Sequence, residues 1–199
     1  MRKKHLEILL SKVEDIEAPN VHLEQYSTPP SIAAAILHLA NSLGDVEGKR
    51  IIELGCGNGI FALGAALLGA GECIGIDIDP KAIEKAKENA NKLSLNVEFI
   101  CLDVNEVTGN YDTVFQNPPF GCQQKHADLP FLGKAVEIGN VIYSLHRGET
   151  ERFIEYQFVS KGCRITHKER FKFPVKHRYK FHRASEVKFD VVMFRAERG

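Results

Sequence analysis

Arg50-Ile51-Ile52-Glu53-Leu54-Gly55-Cys56-Gly57-Asn58-Gly59 is the stretch on which the fold turns. Its first half is an apolar run of the kind that parallel strands buried on both faces use. Glycines then fall at alternate positions, and an apolar helix follows from Ile60 to Leu68. Glycine permits positive φ and close backbone approach, and a helix start presents unpaired N–H groups to a ligand. The spacing G-x-G-x-G is not the dinucleotide pattern G-x-G-x-x-G. Glu53 also stands two residues before the first glycine, where a carboxylate opposes a pyrophosphate and suits a cationic ligand.

Outward from this unit, strands and helices alternate. Gly69-Ala70-Gly71 ends the helix, as C-terminal glycines do. Cys73–Asp77 reads as a second strand. Asp79-Pro80 caps a helix from Lys81 to about Lys92 that turns Ala82, Ile83, Ala86 and Ala90 to the sheet. Val97–Cys101 reads as a third strand, closed by Leu102-Asp103-Val104, and Tyr111–Phe115 as a fourth. A helix over Leu129–Ile138, a strand over Asn140–His146 and a helix from about Glu149 to Val159 complete a doubly wound parallel α/β sheet. The end differs: Cys163–Phe173 and Val187–Arg195 alternate like two antiparallel strands that close the sheet's edge.

Before the sheet, Leu6, Leu9, Leu10, Val13 and Ile16 recur at helical spacing. They predict an amphipathic helix over residues 3–17, which either packs on the core or caps a cofactor pocket. Thr28 fits an N-cap with Pro29 at the first helical position, for a helix running to about Leu43. One domain is expected, with residues 1–45 as a helical cap and 46–199 as the core.

Three successive strands end in acids: Glu53, Asp77 and Asp103. An acid closing the second strand is where such folds bind ribose hydroxyls, and Asp103 is placed to accept from an adenine amino group. Each alone is readable as a solvated loop carboxylate. Three of them beside a glycine turn point to a ligand.

The fourth strand runs into Gln116-Asn117-Pro118-Pro119-Phe120-Gly121. Two prolines fix φ and remove two backbone donors, and Asn117 is pushed out of the helical region by the proline after it. What remains is a stiff acceptor site: the Asn117 side-chain oxygen, the Pro118 carbonyl and the Phe120 ring. That suits a planar group bearing an exocyclic NH2. The competing reading is a Pro-Pro turn with a core phenylalanine.

Composition narrows the class. The 199 residues carry no net charge, so nothing pulls the chain as a whole toward nucleic acid. Five scattered cysteines (Cys56, Cys73, Cys101, Cys122 and Cys163) form no C-x-x-C pair. They argue against a disulfide framework or zinc site and fit a reducing cytoplasm. No apolar run approaches the ~20 residues of a membrane span, and no secretory leader is expected. From Lys161 to Arg183, nine Lys and Arg stand against one acid, with Phe171, Phe173, Tyr179 and Phe181 interspersed. Basic plus aromatic fits a nucleic-acid surface. An edge strand protected by lysines fits equally.

These pieces resemble the S-adenosylmethionine (SAM)-dependent methyltransferases of the seven-strand Rossmann-like class. More narrowly, the chain resembles the methyltransferase-like protein five family, adenine-N6 methyltransferases of small-subunit ribosomal RNA. The resemblance rests on Leu23-Glu24-Gln25-Tyr26-x-Thr28-x-Pro30, Leu54-Gly55-Cys56-Gly57-x-Gly59, Asp77-Ile78-Asp79, Asn117-Pro118-Pro119-Phe120-Gly121, Tyr143-Ser144-Leu145-His146 and Tyr179-Lys180-Phe181-His182. It implies a Rossmann-like, seven-stranded, mostly parallel sheet with helices on both faces and an antiparallel C-terminal edge. It also implies that Gln25 and Thr28 line the methionine end of SAM. Gly55, Gly57, Asn58 and Ile60 form the cofactor loop, with Glu53 on the same side. Asp77 holds the ribose, and Asp103 and Val104 hold the adenine. Asn117, Pro118, Pro119 and Phe120 hold a target base that has left its stack, and Lys180, Phe181 and His182 contact substrate RNA. Asn58 departs from the residue most familiar at its position. The resemblance further implies a small zinc-binding activator protein as partner. A protein-glutamine methyltransferase uses a similar turn, usually with Tyr where Phe120 stands, and a non-catalytic RNA-binding assembly factor could keep the same fold.

Overall fold

A computed structural model describes residues 1–17, 24–121, 126–175 and 187–199. Seven strands form one sheet in the order β3-β2-β1-β4-β5-β7-β6. They are β1 (Arg50–Leu54), β2 (Glu72–Asp77), β3 (Glu98–Cys101), β4 (Tyr111–Gln116), β5 (Gly139–Arg147), β6 (Cys163–Val175) and β7 (Val187–Arg198). The first five pair in parallel, and β7 runs antiparallel between β5 and β6. This is the expected Rossmann-like sheet with its antiparallel edge. Because β1 to β5 are parallel, their carboxyl ends, and the residues that follow, lie along one edge.

Among the described residues, six α-helices cover the two faces: α1 (Lys3–Leu10), α2 (Pro30–Ser42), α3 (Ile60–Leu67), α4 (Pro80–Leu93), α5 (Leu129–Ile138) and α6 (Glu151–Ser160). The period-2 alternation of the strands sorts them. Ile51, Phe115, Tyr143 and Met193 pack with α1, α2 and α3, while Ile52, Leu54, Val114, Ile142 and Phe194 pack with α5 and α6. Helix α4 joins the first face, where Ile83, Ala86 and Ala90 meet Ala62 and Leu63 of α3 and Phe99 of β3. The turn from β1 into α3 approaches so closely that Gly59 has φ +83°, and a Cβ there would stand 2.7 Å from the Phe99 ring.

Helix α1 is shorter than its spacing predicts. It ends at Leu10, and Leu6 and Leu10 are fully buried against α2 and α3. Eight residues are too few for a helix stable on its own, so these two side chains, worth roughly 1.5–3 kcal/mol each, carry it. Beyond Leu10 the backbone takes other partners. Asn89 of α4 accepts from Glu14 N (2.9 Å) and donates to Glu14 O (3.0 Å). Helix α2 also starts one residue later than expected: Pro29 is the N-cap and Pro30 the first helical residue, with no side-chain cap.

The antiparallel edge is fastened by a buried charge cluster. Arg195 of β7 donates from Nε (2.8 Å) and an NH2 group (3.1 Å) to the Asp45 carboxylate, which also accepts from Tyr143 Oη at 2.6 Å. Asp45 and Arg195 are both buried. Removing one partner leaves the other charge unpaired in the interior, so Arg195→Ala is expected to cost about 3–5 kcal/mol, read as a lowered urea midpoint.

Candidate active site

One cavity of about 300 Å³ opens at the carboxyl edge of the sheet. Its wall includes Gln25, Thr28, Glu53, Gly55, Gly57, Asn58, Ile60, Asp77, Asp103, Val104, Asn117 and Pro119. Twelve residues singled out in the sequence thus meet at one place, drawn from four strand ends and the segment before α2. Pro118 is buried and Phe120 half-buried, and neither lines the cavity. Lys180, Phe181 and His182 lie outside the described residues, as do Leu23 and Tyr179.

Asp77 anchors the glycine turn. Its Oδ2 accepts from Gly57 N and its Oδ1 from Asp79 N, each at 2.9 Å. Burial raises its pKa despite those bonds. Gly55 bends at φ +64°, and a Cβ there would lie 2.9 Å from the ring of Phe131, which closes the cavity from α5. Asp103 accepts from the backbone and side chain of Asn105 and starts a single 3-10 turn.

Glu53 does not lie free for a cation. Its two oxygens accept from Phe61 N (3.2 Å) and Ala62 N (2.8 Å), the first turn of α3. It is 3% exposed, and burial pushes its pKa up to about 8, against the pull of those two N–H groups. A proton sits on Glu53 at neutral pH unless a cation approaches.

Segment 24–28 ties the two halves of the cavity together. Gln25 Nε2 donates to Asp79 Oδ2 at 2.9 Å. Thr28, freed from capping α2, accepts at Oγ1 from Asn117 Nδ2 at 3.1 Å, and the Tyr26 carbonyl accepts from the same nitrogen at 3.3 Å. A carbonyl can only accept, so the Asn117 nitrogen must face it and the oxygen must point away. That oxygen is buried and has no hydrogen-bond partner among the described residues. Leaving a buried acceptor unpaired costs about 1–3 kcal/mol, a cost that a donor arriving in the cavity removes.

Phe120 packs in an aromatic cluster. It stacks against Tyr26 (6.4 Å between centroids) and meets Phe173 and Phe189 edge-on at 5.9 and 5.3 Å. It thereby links the turn after β4 to β6 and β7.

Several wall residues escaped the sequence reading. Phe131 and Pro130 were read as ordinary helix residues, and Ile16 as the last position of α1. Asn89 is 1% exposed, and it donates both to Glu14 O and to Asn58 O (3.1 Å), strapping the N-terminal segment to the glycine turn. Its signal was present: an asparagine on the apolar side of a helix, beside Ala86 and Ala90.

Four of the five described Lys and Arg of the basic section are paired. Lys168 meets Glu151 and Glu155, Arg170 meets Glu151, Lys172 meets Asp190 and Arg164 meets Glu197. For this part, the observation favours a charge-protected edge strand over a bare phosphate-binding stripe.

The ends of three strands, each carrying an acid, thus share the cavity with an unpaired acceptor at the end of a fourth. Fold and cavity together define a SAM-dependent methyltransferase of the Rossmann-like class. Residues 45–150 match a family model described as a methyltransferase domain. The chain is 34% identical to the rRNA N(6)-adenosine-methyltransferase METTL5 of Danio rerio, over 98% of both chains. It is 41% identical to an uncharacterised protein of Methanocaldococcus jannaschii, over 100% of this chain and 95% of the relative. A crystal structure from Pyrococcus horikoshii, described as a candidate RNA methyltransferase, superposes with a TM-score of 0.92 at 42% identity, over 100% and 98% of the two chains. The chain belongs to the methyltransferase-like protein five family, which its motifs resemble.

The buried acid gives a sign-definite test. The unfolded chain loses the Glu53 proton near 4.5, whereas the folded chain keeps it to about 8. Between those values the folded state binds the extra proton, so this group's contribution to stability falls as pH rises, and levels off above about 8. Glu53→Gln removes that dependence. Its melting temperature relative to the parent chain is expected to climb from pH 5 to pH 8.5 in thermal unfolding.

Proposed function

We propose that this protein transfers the methyl group of SAM to N6 of an adenosine in ribosomal RNA, with the small-subunit RNA as target. The observation that carries the reading is the buried, unpaired oxygen of Asn117. It is held in place by two acceptors on its own nitrogen. An exocyclic amine is the kind of donor it lacks.

The residues present fit the cofactor. In this reading Asp77 holds the ribose hydroxyls, and Asp103 and Val104 hold the adenine. Gly55, Gly57, Asn58 and Ile60 shape the loop beneath, while Gln25, Thr28 and Glu53 meet the methionine end. All ten lie on the one cavity wall. The cofactor supplies an electrophilic methyl group on a sulfonium. Glu53 is the group most changed by a cation nearby: loss of its proton would place a carboxylate beside the positive charge without breaking its bonds to α3.

The rest follows from what the chain does to the acceptor. An adenine amino nitrogen is a weak nucleophile because its lone pair is delocalised into the ring. Asn117 Oδ1 would take one amino proton and the Pro118 carbonyl the other, turning the lone pair out of the ring plane. The same two oxygens stabilise the positive charge that develops on nitrogen, and the surplus proton of the methylated nitrogen, strongly acidic, passes to solvent. Pro119 walls the slot, and Phe120 holds the turn rigid through its aromatic neighbours. No strong base is needed, and orientation with fixed dipoles supplies most of the effect.

Radiolabelled SAM, incubated with total RNA from cells lacking the protein and followed by nucleoside analysis, tests the assignment. Label is expected as N6-methyladenosine in small-subunit rRNA. Label in a protein glutamine instead would replace the RNA reading with the protein-glutamine one.

Two substitutions separate the halves of the site. Asn117→Ala should cut kcat by about 100-fold or more while the dissociation constant for SAM, measured calorimetrically, stays near that of the parent chain. Asp77→Ala should do the reverse at low cofactor, weakening SAM binding by about ten-fold or more through loss of a charge-assisted hydrogen-bond acceptor.

A further inference from the structure

Behind the Asn117 turn lies a chain of four polar side chains that the reaction scheme above does not use. Gln116 Nε2 donates to Ser144 Oγ at 2.8 Å. Ser144 Oγ lies 2.7 Å from His146 Nε2, and His146 Nδ1 lies 3.2 Å from Asp128 Oδ2. Exposures of 1% for Gln116, 0% for Ser144, 2% for His146 and 9% for Asp128 put all four in the interior. The sheet builds the chain directly. Gln116 and Ser144 are register partners on β4 and β5, and His146, two residues on, shares Ser144's face.

With Gln116 Nε2 as donor and a neutral His146 ring, one direction runs through the whole chain. Ser144 Oγ already accepts from Gln116, so its proton goes to His146 Nε2. His146 must then carry its own proton on Nδ1 and give it to the Asp128 carboxylate. A neutral ring with that tautomer gives each of the three bonds one donor and one acceptor, while Gln116 Oε1 stays buried without a partner among the described residues. Burial holds the ring's pKa below the usual imidazole range, although Asp128 pulls the other way. The order Ser–His–Asp is that of a hydrolytic triad. A fully buried Ser144 that lines no cavity and accepts from an amide is not a nucleophile, however.

The two ends of this chain are what the site needs held. Gln116 is the residue before Asn117. Asp128 sits at the N-cap of α5 but does not cap it: its side chain makes no bond to the helix and reaches back to His146 instead. Just beyond it, Pro130 and Phe131 wall the cavity opposite the glycine turn. The chain therefore spans from the acceptor turn to the helix that faces it.

The geometry points to Gln116, Ser144, His146 and Asp128 as one positioning unit, which sets the Asn117 turn against the start of α5 so that an acceptor amine and the cofactor meet in line. It rests on the methyl-transfer reading of the cavity but not on which amine is the acceptor. The four residues touch neither partner; they act through Asn117 and α5.

The test uses the parent chain and five variants, Ser144→Ala, Asp128→Ala, Asp128→Asn, Asn117→Ala and the double Ser144→Ala/Asp128→Ala. It measures kcat, the acceptor KM, the SAM dissociation constant and the melting temperature of each. Ser144→Ala and Asp128→Ala are expected to lower kcat by about ten-fold or more, as small misplacements of reacting groups do. SAM affinity should stay within about two-fold, since none of the four side chains lines the cavity. Asp128→Asn keeps an acceptor oxygen for His146 Nδ1 and should recover most of the lost kcat. The double variant Ser144→Ala/Asp128→Ala should be no slower than the slower single, because the two cut one unit. The proposal is overturned if kcat is unchanged in both alanine variants. It is overturned too if kcat falls only in step with SAM affinity and melting temperature, or if Asp128→Asn is as slow as Asp128→Ala. An inactive Asn117→Ala beside a fully active Ser144→Ala would sink the positioning unit and leave the methyl-transfer reading standing. If Asn117→Ala itself keeps normal turnover, the cavity reading is what fails.

Discussion

The carboxylate of Asp77 is the constraint on which the mouth of the site depends. One oxygen holds Gly57 and the other holds Asp79, so the turn after β1 and the turn after β2 share one clamp. Asp79 in turn caps α4 through Lys81 N and receives Gln25. Gln25 lies three residues from Thr28, which receives Asn117. From a single buried acid, hydrogen bonds and the short segment 25–28 therefore run around the cavity from the glycine turn to Asn117. Burial works against the charge of this acid, and the backbone N–H groups of Asp79, Gly57 and Ile78 work for it. The loop geometry and the ionisation state support each other.

Much of this was legible because it is local. The apolar run of β1, the glycines after it and the Asp79-Pro80 cap each declare an element within ten residues. Helix α5 was readable at both ends, Leu129 and Ile138, from a periodic pattern that nothing distant disturbs. The acids at strand ends converge because parallel strands share one edge, a rule that needs no knowledge of contacts. Asn117 was readable as an acceptor because proline on its C-terminal side leaves its turn few conformations.

What stayed hidden was set by distant residues. The spacing of Val13 and Ile16 continues the pattern of α1, but Asn89, 75 residues from Glu14, takes the backbone bonds that the helix would have used. Thr28 has every local qualification of an N-cap, yet its hydroxyl serves Asn117, 89 residues away. Ser144 and His146 look like two residues of one strand. Only the register of β4 against β5 and the return of the chain at Asp128 make them a connected set. The charge of residues 161–175 was legible, but its neutralisation by α6 and β7 was not.

That neutralisation has a thermodynamic consequence. Binding to a polyanion draws strength from small ions set free when fresh cations meet phosphates, about 0.9 per phosphate neutralised on a duplex. Arg164, Lys168, Arg170 and Lys172 already hold carboxylates. A phosphate that met them would have to compete with an internal carboxylate, which offsets part of the gain. Association through this face would therefore depend on ionic strength less steeply than its count of cations suggests. Any steep dependence of RNA affinity on salt would count the cations that lie elsewhere on the chain.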